Sequence, residues 1–181
     1  MSLLHFLINW INDLFSVQKT VPQMVQESAK YPMHNDPEWL KIARGEIGIK
    51  EIAGVGKHNK RILEYHHSTG ETWVLDDETA WCSSFANWCI EEAGLEGTDK
   101  LNARSWLNWG QKIDIPRRGC VAIFWRDKKN SWMGHVGFYL RDDGKYIYLL
   151  GGNQKNEVNV TKYPMSRLLG YRWPQGIEKP L

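Results

Sequence analysis

Residues 79–94 read TAWCSSFANWCIEEAG and residues 134–154 read GHVGFYLRDDGKYIYLLGGNQ. The first stretch has Phe85, Trp88, Cys89 and Ile90 at helical spacing and Gly94 as a stop, which predicts a core helix beginning after Thr79. The second holds two short β-branched and aromatic runs, 135–140 and 146–152, on either side of a DDG turn, and reads as a hairpin. The run CVAIFW at 120–125 adds another strand. Upstream, Asp36, Pro37, Glu38 and Trp39 form a helix start, with Asp36 as the cap, proline in the first turn and acid at the positive end. That helix is expected to reach Ile47. A second is expected over His58–His67, with Ile62, Leu63, Tyr65 and His66 around it, and a short one near Ala103–Trp109. Helices first and an antiparallel sheet afterwards predict an α+β domain with its N-terminal helices packed on a small sheet.

Working outward, 181 residues suit one domain with a short appendage. Leu4, Leu7, Ile8, Ile11, Leu14 and Phe15 follow helical spacing, so residues 3–15 are expected as an amphipathic helix. Residues 16–36 are polar, hold two prolines and read as a linker. The division is therefore 1–36, helix and linker, and 37–181, the folded domain. No stretch approaches the ~20 apolar residues of a membrane span. The N-terminus lacks a basic leader and a small-residue cleavage site, so the reading is synthesis in the cytoplasm without a signal peptide. The net charge of +2 comes from scattered Lys and Arg, which argues against nucleic acid and suits contact with an anionic polymer. Of ten tryptophans, most lie between Trp73 and Trp132, and about half are expected in the core.

Three cysteines, Cys82, Cys89 and Cys120, leave no fully paired disulfide framework, and none has zinc spacing to a His, so neither metal nor cofactor is expected. Cys82 stands in the first turn of its helix, where unpaired N–H groups favour an anion, lower a thiol pKa and offer an oxyanion site. Position alone leaves a buried structural thiol as the commoner reading. Cys89 and Cys120 take that reading. His135, alone of six histidines, opens a buried-looking strand beside a glycine and can meet a helix N-terminus in the fold. An imidazole in that role needs a polar group to fix its tautomer. Counted from the DDG turn, Asn153 is the cross-strand neighbour of His135, with Gln154 as the second choice.

These segments, DDETAWCSSFANWCIEEAG, ARSWLNWG, GHVGFYL, LLGGNQ and LLGYRWP, with GIKEIAGVGKHNKRILEY upstream, resemble in order and spacing the NlpC/P60 and CHAP superfamily of bacterial and phage peptidoglycan hydrolases. The likeness covers about residues 37–174. It implies a papain-like fold, no metal, and a catalytic set falling on Cys82, His135 and Asn153. Where many CHAP relatives carry an acid near the third position, this chain has Gly151 and Gly152; where papain-like proteases often place an oxyanion-binding glutamine, it has Asp76 and Asp77. The oxyanion would then rest on the Cys82 backbone N–H and a second donor. Trp81, Glu51, Ser105, Trp106 and Gln154 are the candidate groove residues, each with a structural reading at least as strong. The function implied is cleavage of a stem-peptide amide in peptidoglycan, by a monomer acting in the periplasm or wall of a target or host bacterium. A phage-type lysin and a type VI secretion effector both fit, the second with an immunity protein or a secretion-apparatus component as partner. Alternatives are a cysteine deamidase or transglutaminase acting on a protein, and a wall-binding module without catalysis.

Overall fold

Pro37 opens the first helix, Glu38–Gly45 (α1), in the computed structural model, which describes residues 36–178; the helix and linker expected before Asp36 lie outside the described residues. Asp36 does not cap α1. Its buried carboxylate instead accepts from Arg44 Nε at 2.7 Å and Arg118 Nε at 2.5 Å, because two guanidiniums drawn toward the interior need a counter-charge more than an exposed helix end needs a cap. The second helix, Lys60–Ser68 (α2), is capped by the Asn59 side chain, which accepts from Arg61 N at 2.9 Å. The third, Cys82–Glu92 (α3), is buried on every side from Cys82 to Ile90 and ends where Gly94 takes φ 76°. A 3-10 turn follows at Ala103–Asn108.

Six antiparallel strands form one sheet: Gln111–Ile113 (β1), Val121–Trp125 (β2), Gly134–Asp142 (β3), Tyr146–Gly151 (β4), Asn159–Pro164 (β5) and Leu168–Trp173 (β6), in the order β1-β6-β2-β3-β4-β5. The expected hairpin is β3–β4, and Asp143 Oδ1 holds its turn by accepting from the backbone N–H of Lys145 and Tyr146. The sheet curls strongly: the Tyr163 ring of β5 lies 5.2 Å from Phe124 of β2 and 4.7 Å from His135 of β3.

The α+β arrangement expected from the sequence is the one observed. α3 is packed between the sheet, through Phe85 against Phe138, and α2, through Tyr65 against Phe85 and Trp88. Where α3 meets the end of β4, a Cβ on Gly152 would stand 2.6 Å from Trp81 and 2.7 Å from Phe85. Only a glycine permits that approach, and it sets how far the helix start lies from the strand ends. Of the described tryptophans, Trp39, Trp81, Trp88, Trp106 and Trp173 are buried, while Trp73 and Trp132 are 67% and 74% exposed.

Candidate active site

Cys82 is the first residue of α3 and is 6% exposed. The backbone N–H of Val136, the residue that follows His135, and those of Ser83 and Cys82 itself favour the charged form of its sulfur. The helix start and the mouth of β3 thus converge on one thiol. His135 is 3% exposed, stands opposite Phe124 in the β2–β3 ladder and stacks on Tyr163 with 16° between the ring planes.

The His135 Nε2 lies 3.2 Å from Gln154 Oε1. The direction of that bond follows from the other end of the amide. Gln154 Nε2 donates to the carbonyl of Asn159 at 2.5 Å and faces that of Leu149 at 3.4 Å, and carbonyls only accept. Gln154 Oε1 is therefore an acceptor toward the imidazole, Nε2 of His135 carries the proton, and Nδ1 keeps a lone pair for use as a base. Asn159 completes the lock: its Nδ2 donates to Gln154 O at 2.7 Å and its Oδ1 accepts from Thr161 Oγ1 at 2.7 Å.

Burial pushes the Cys82 thiol above its ordinary pKa and outweighs the Val136 N–H, the Arg126 charge and the helix-start N–H groups, all of which pull it down. This corrects the lowered thiol expected from the helix end, since desolvation in the closed site is the larger effect. Burial also pushes His135 down to about 4, against the Gln154 hydrogen bond and with help from the Arg126 charge. At neutral pH both groups are uncharged. The arrangement suits proton transfer concerted with attack instead of a stored thiolate–imidazolium pair.

The other expected residues divide. Continuing the Phe138↔Leu150 register would set Asn153 opposite His135, but β4 ends at Gly151 and Asn153 turns into the left-handed region at φ 53°. Gln154 folds back in its place and takes the imidazole contact. Lys155 and Asn156 are left-handed too, at φ 58° and 63°, and this costly turn is held by the Gln154 N–H to Glu157 O bond at 2.9 Å. Trp81 and Trp106 are fully buried, so neither walls a groove. Trp81 Nε1 donates to Glu51 Oε1 at 2.9 Å, and the Glu51 N–H donates to Asn156 O at 3.0 Å. Glu51 therefore ties the start of α3 to the Gln154 turn, and burial raises its carboxyl against the pull of the Trp81 donor. Trp106 Nε1 donates to Ser83 Oγ, and Ser105 Oγ to Thr98 Oγ1, both at 3.0 Å. Asp77 accepts the backbone N–H groups of Ile52 and Asn59 and holds a loop. Tyr163, Asn159 and Arg126 were not singled out in the sequence. The first two arrive on β5, whose pairing the sequence does not announce, whereas Arg126 follows by strand alternation from Phe124.

Residues 74–153 match the model of the CHAP domain family, a span that holds both Cys82 and His135. That span is similar to the CHAP domain. The family is of peptidoglycan-hydrolase type, and CHAP domains are typically cysteine- and histidine-dependent hydrolases. No curated protein matches the chain. Among solved structures, the chain is similar to a protein described as similar to lipoprotein, of the NLP/P60 family, from Staphylococcus aureus, at 15% identity and a TM-score of 0.45, over 77% of this chain. The match covers 41% of that chain's length. Among the described residues, no helix is long and apolar enough to cross a membrane.

Proposed function

We propose that this protein hydrolyses an amide bond of the peptidoglycan stem peptide, with Cys82 as nucleophile, His135 as general base and acid, and Gln154 as the group that orients the imidazole. The observation that carries the reading is the locked Gln154 amide, which leaves His135 Nδ1 unprotonated in a strand whose next N–H, that of Val136, favours the charged form of the Cys82 sulfur. As the sulfur attacks the carbonyl carbon, Nδ1 takes the thiol proton, and the Cys82 backbone N–H at the start of α3 receives the oxyanion. The imidazolium then gives that proton to the departing nitrogen, leaving a thioester. A water deprotonated by Nδ1 attacks the thioester, and its collapse returns the thiol and releases a carboxylic acid. The bond is either the muramoyl link to the first alanine or one within the peptide. In this reading the protein is a lysin or a delivered antibacterial toxin that meets the wall outside the cytoplasm where it is made, and a toxin would have an immunity partner.

Digestion of purified peptidoglycan with wild type and Cys82→Ala, followed by mass spectrometry of the soluble fragments, tests this. Muropeptides released by wild type alone are expected, and their masses name the bond. Binding of wall by both proteins with release by neither would replace the hydrolase with a binding module.

A further inference from the structure

One cation at the site is unaccounted for by the chemistry above. β2 and β3 pair in register as Phe124↔His135 and Trp125↔Gly134, and the Arg126 N–H continues the ladder to Met133 O at 3.3 Å. Residues directly opposite share a face, and so do residues two apart on one strand. Arg126 therefore projects on the face that carries Phe124 and His135, one strand step outward from the imidazole and at the solvent edge. Its charge is felt at Cys82, His135 and Tyr163 alike.

The neighbouring guanidiniums are engaged elsewhere. Arg104 donates to the carbonyls of Met133 at 3.1 Å and Lys129 at 2.9 Å, holding the β2–β3 loop, and Arg167 stacks over Trp125 at 4.9 Å. Arg126 is exposed and has no carboxylate within ion-pair distance among the described residues. A positive group that lowers the basicity of the catalytic imidazole works against the base and has no structural partner to justify it. A substrate anion would supply that partner and, by neutralising the charge, would restore the basicity of His135 on binding.

We propose that Arg126 is a carboxylate-binding subsite, and that the enzyme selects stem peptides carrying a free α-carboxylate beside the scissile amide over the same peptides with a carboxamide there. A planar guanidinium matches a carboxylate with two parallel N–H donors and has nothing comparable to offer an amide. This inference rests on the hydrolase reading and adds the feature of substrate that the site recognises.

The test is kcat/KM on two synthetic stem peptides that differ only in carboxylate against carboxamide, for wild type, Arg126→Ala and Arg126→Lys. Wild type is expected to prefer the carboxylate by about 10-fold or more at low salt, with the preference shrinking as salt rises. The ratio should fall toward one in Arg126→Ala and be partly kept in Arg126→Lys, whose charge is retained without the fork. Circular dichroism on the exposed-site variants verifies the fold. A wild type that cleaves both peptides equally, or an Arg126→Ala that keeps the full preference, overturns the subsite while leaving the hydrolase intact. Cleavage of neither peptide by a wild type that also releases nothing from purified wall overturns both; cleavage of wall alone with both peptides refused overturns the subsite.

Discussion

Gln154 and Asn153 separate two accounts of how the imidazole is held. With the Gln154 amide locked by Asn159 and Leu149, Gln154→Ala frees the ring to rotate and to exchange tautomers, and a kcat loss of roughly 100-fold is expected, within the range general-base catalysis contributes. Asn153→Gly removes the neighbouring amide while suiting the left-handed backbone there, so kcat should stay within the same order of magnitude. Steady-state kinetics on both variants decides, and an equal loss in the two would return the role to Asn153. The pH profile tests His135 itself. Its pKa is pushed down to about 4 by burial, so the imidazole remains a base as pH falls and becomes protonated only near that value. The acid limb of kcat/KM, which reports the free enzyme, should fall near 4; a limb near the ordinary value of about 6.5 would mean that the site opens to water before reaction. The placement of Cys82 at a helix start and of His135 at a strand start was legible in the sequence because local pattern marks where elements begin. The amide that meets the imidazole is Gln154, the second choice, and not Asn153, because a left-handed turn after two glycines breaks strand alternation and nothing local announces which amide then points inward.

At the scale of elements, α3 and the β3–β4 hairpin were legible from burial and turn chemistry, and they carry Cys82 and His135. β1 is three residues long, β5 is a half-exposed edge strand, and β6 holds Gly170 beside a register shift against β2, so none gives the alternating apolar run that reveals a strand. Yet β5 supplies Tyr163 and Asn159 to the site, which is why those residues escaped sequence reasoning. What sets the spacing between the legible elements is Gly152. Adding one methyl there, Gly152→Ala, drives a Cβ into Trp81 and Phe85 and must shift α3 away from the end of β4. The expected cost is about 1–3 kcal/mol of stability, as for other overpacked sites, seen as a lower urea midpoint at unchanged slope. Activity of the folded variant should fall as well, because the displaced helix start carries Cys82. An unchanged midpoint with full activity would show that the contact yields freely and does not set the geometry.

Across the whole molecule, the beginning of the described chain is locked to the sheet. Asp36 joins Arg44 of α1 to Arg118 at the approach to β2, Arg118 donates on to Leu140 O of β3 at 3.1 Å, and Trp39 donates to Gly119 O at 2.8 Å. Gly119, at φ 84°, admits Pro37 where a Cβ would lie 2.5 Å from its ring. The Asp36 carboxylate is wholly buried, with Arg44 only 7% exposed, so Asp36→Ala would leave a guanidinium desolvated and unpaired. Breaking a buried pair from one side costs about 3–5 kcal/mol, whereas an exposed pair contributes roughly 0–1 kcal/mol. Lys112 and Asp114, 67% and 85% exposed at 3.1 Å, supply the internal control. Urea unfolding should therefore show a large loss of stability for Asp36→Ala and almost none for Lys112→Ala, with kcat of the folded Asp36 variant preserved because no site residue contacts Asp36. Equal, small effects of the two substitutions would mean that water reaches Arg44 once the carboxylate is gone and that α1 is held by Trp39 and Pro37 alone. The predicted asymmetry would instead make this ion pair the clamp that fixes α1 against the sheet, a contribution to stability that catalysis does not share.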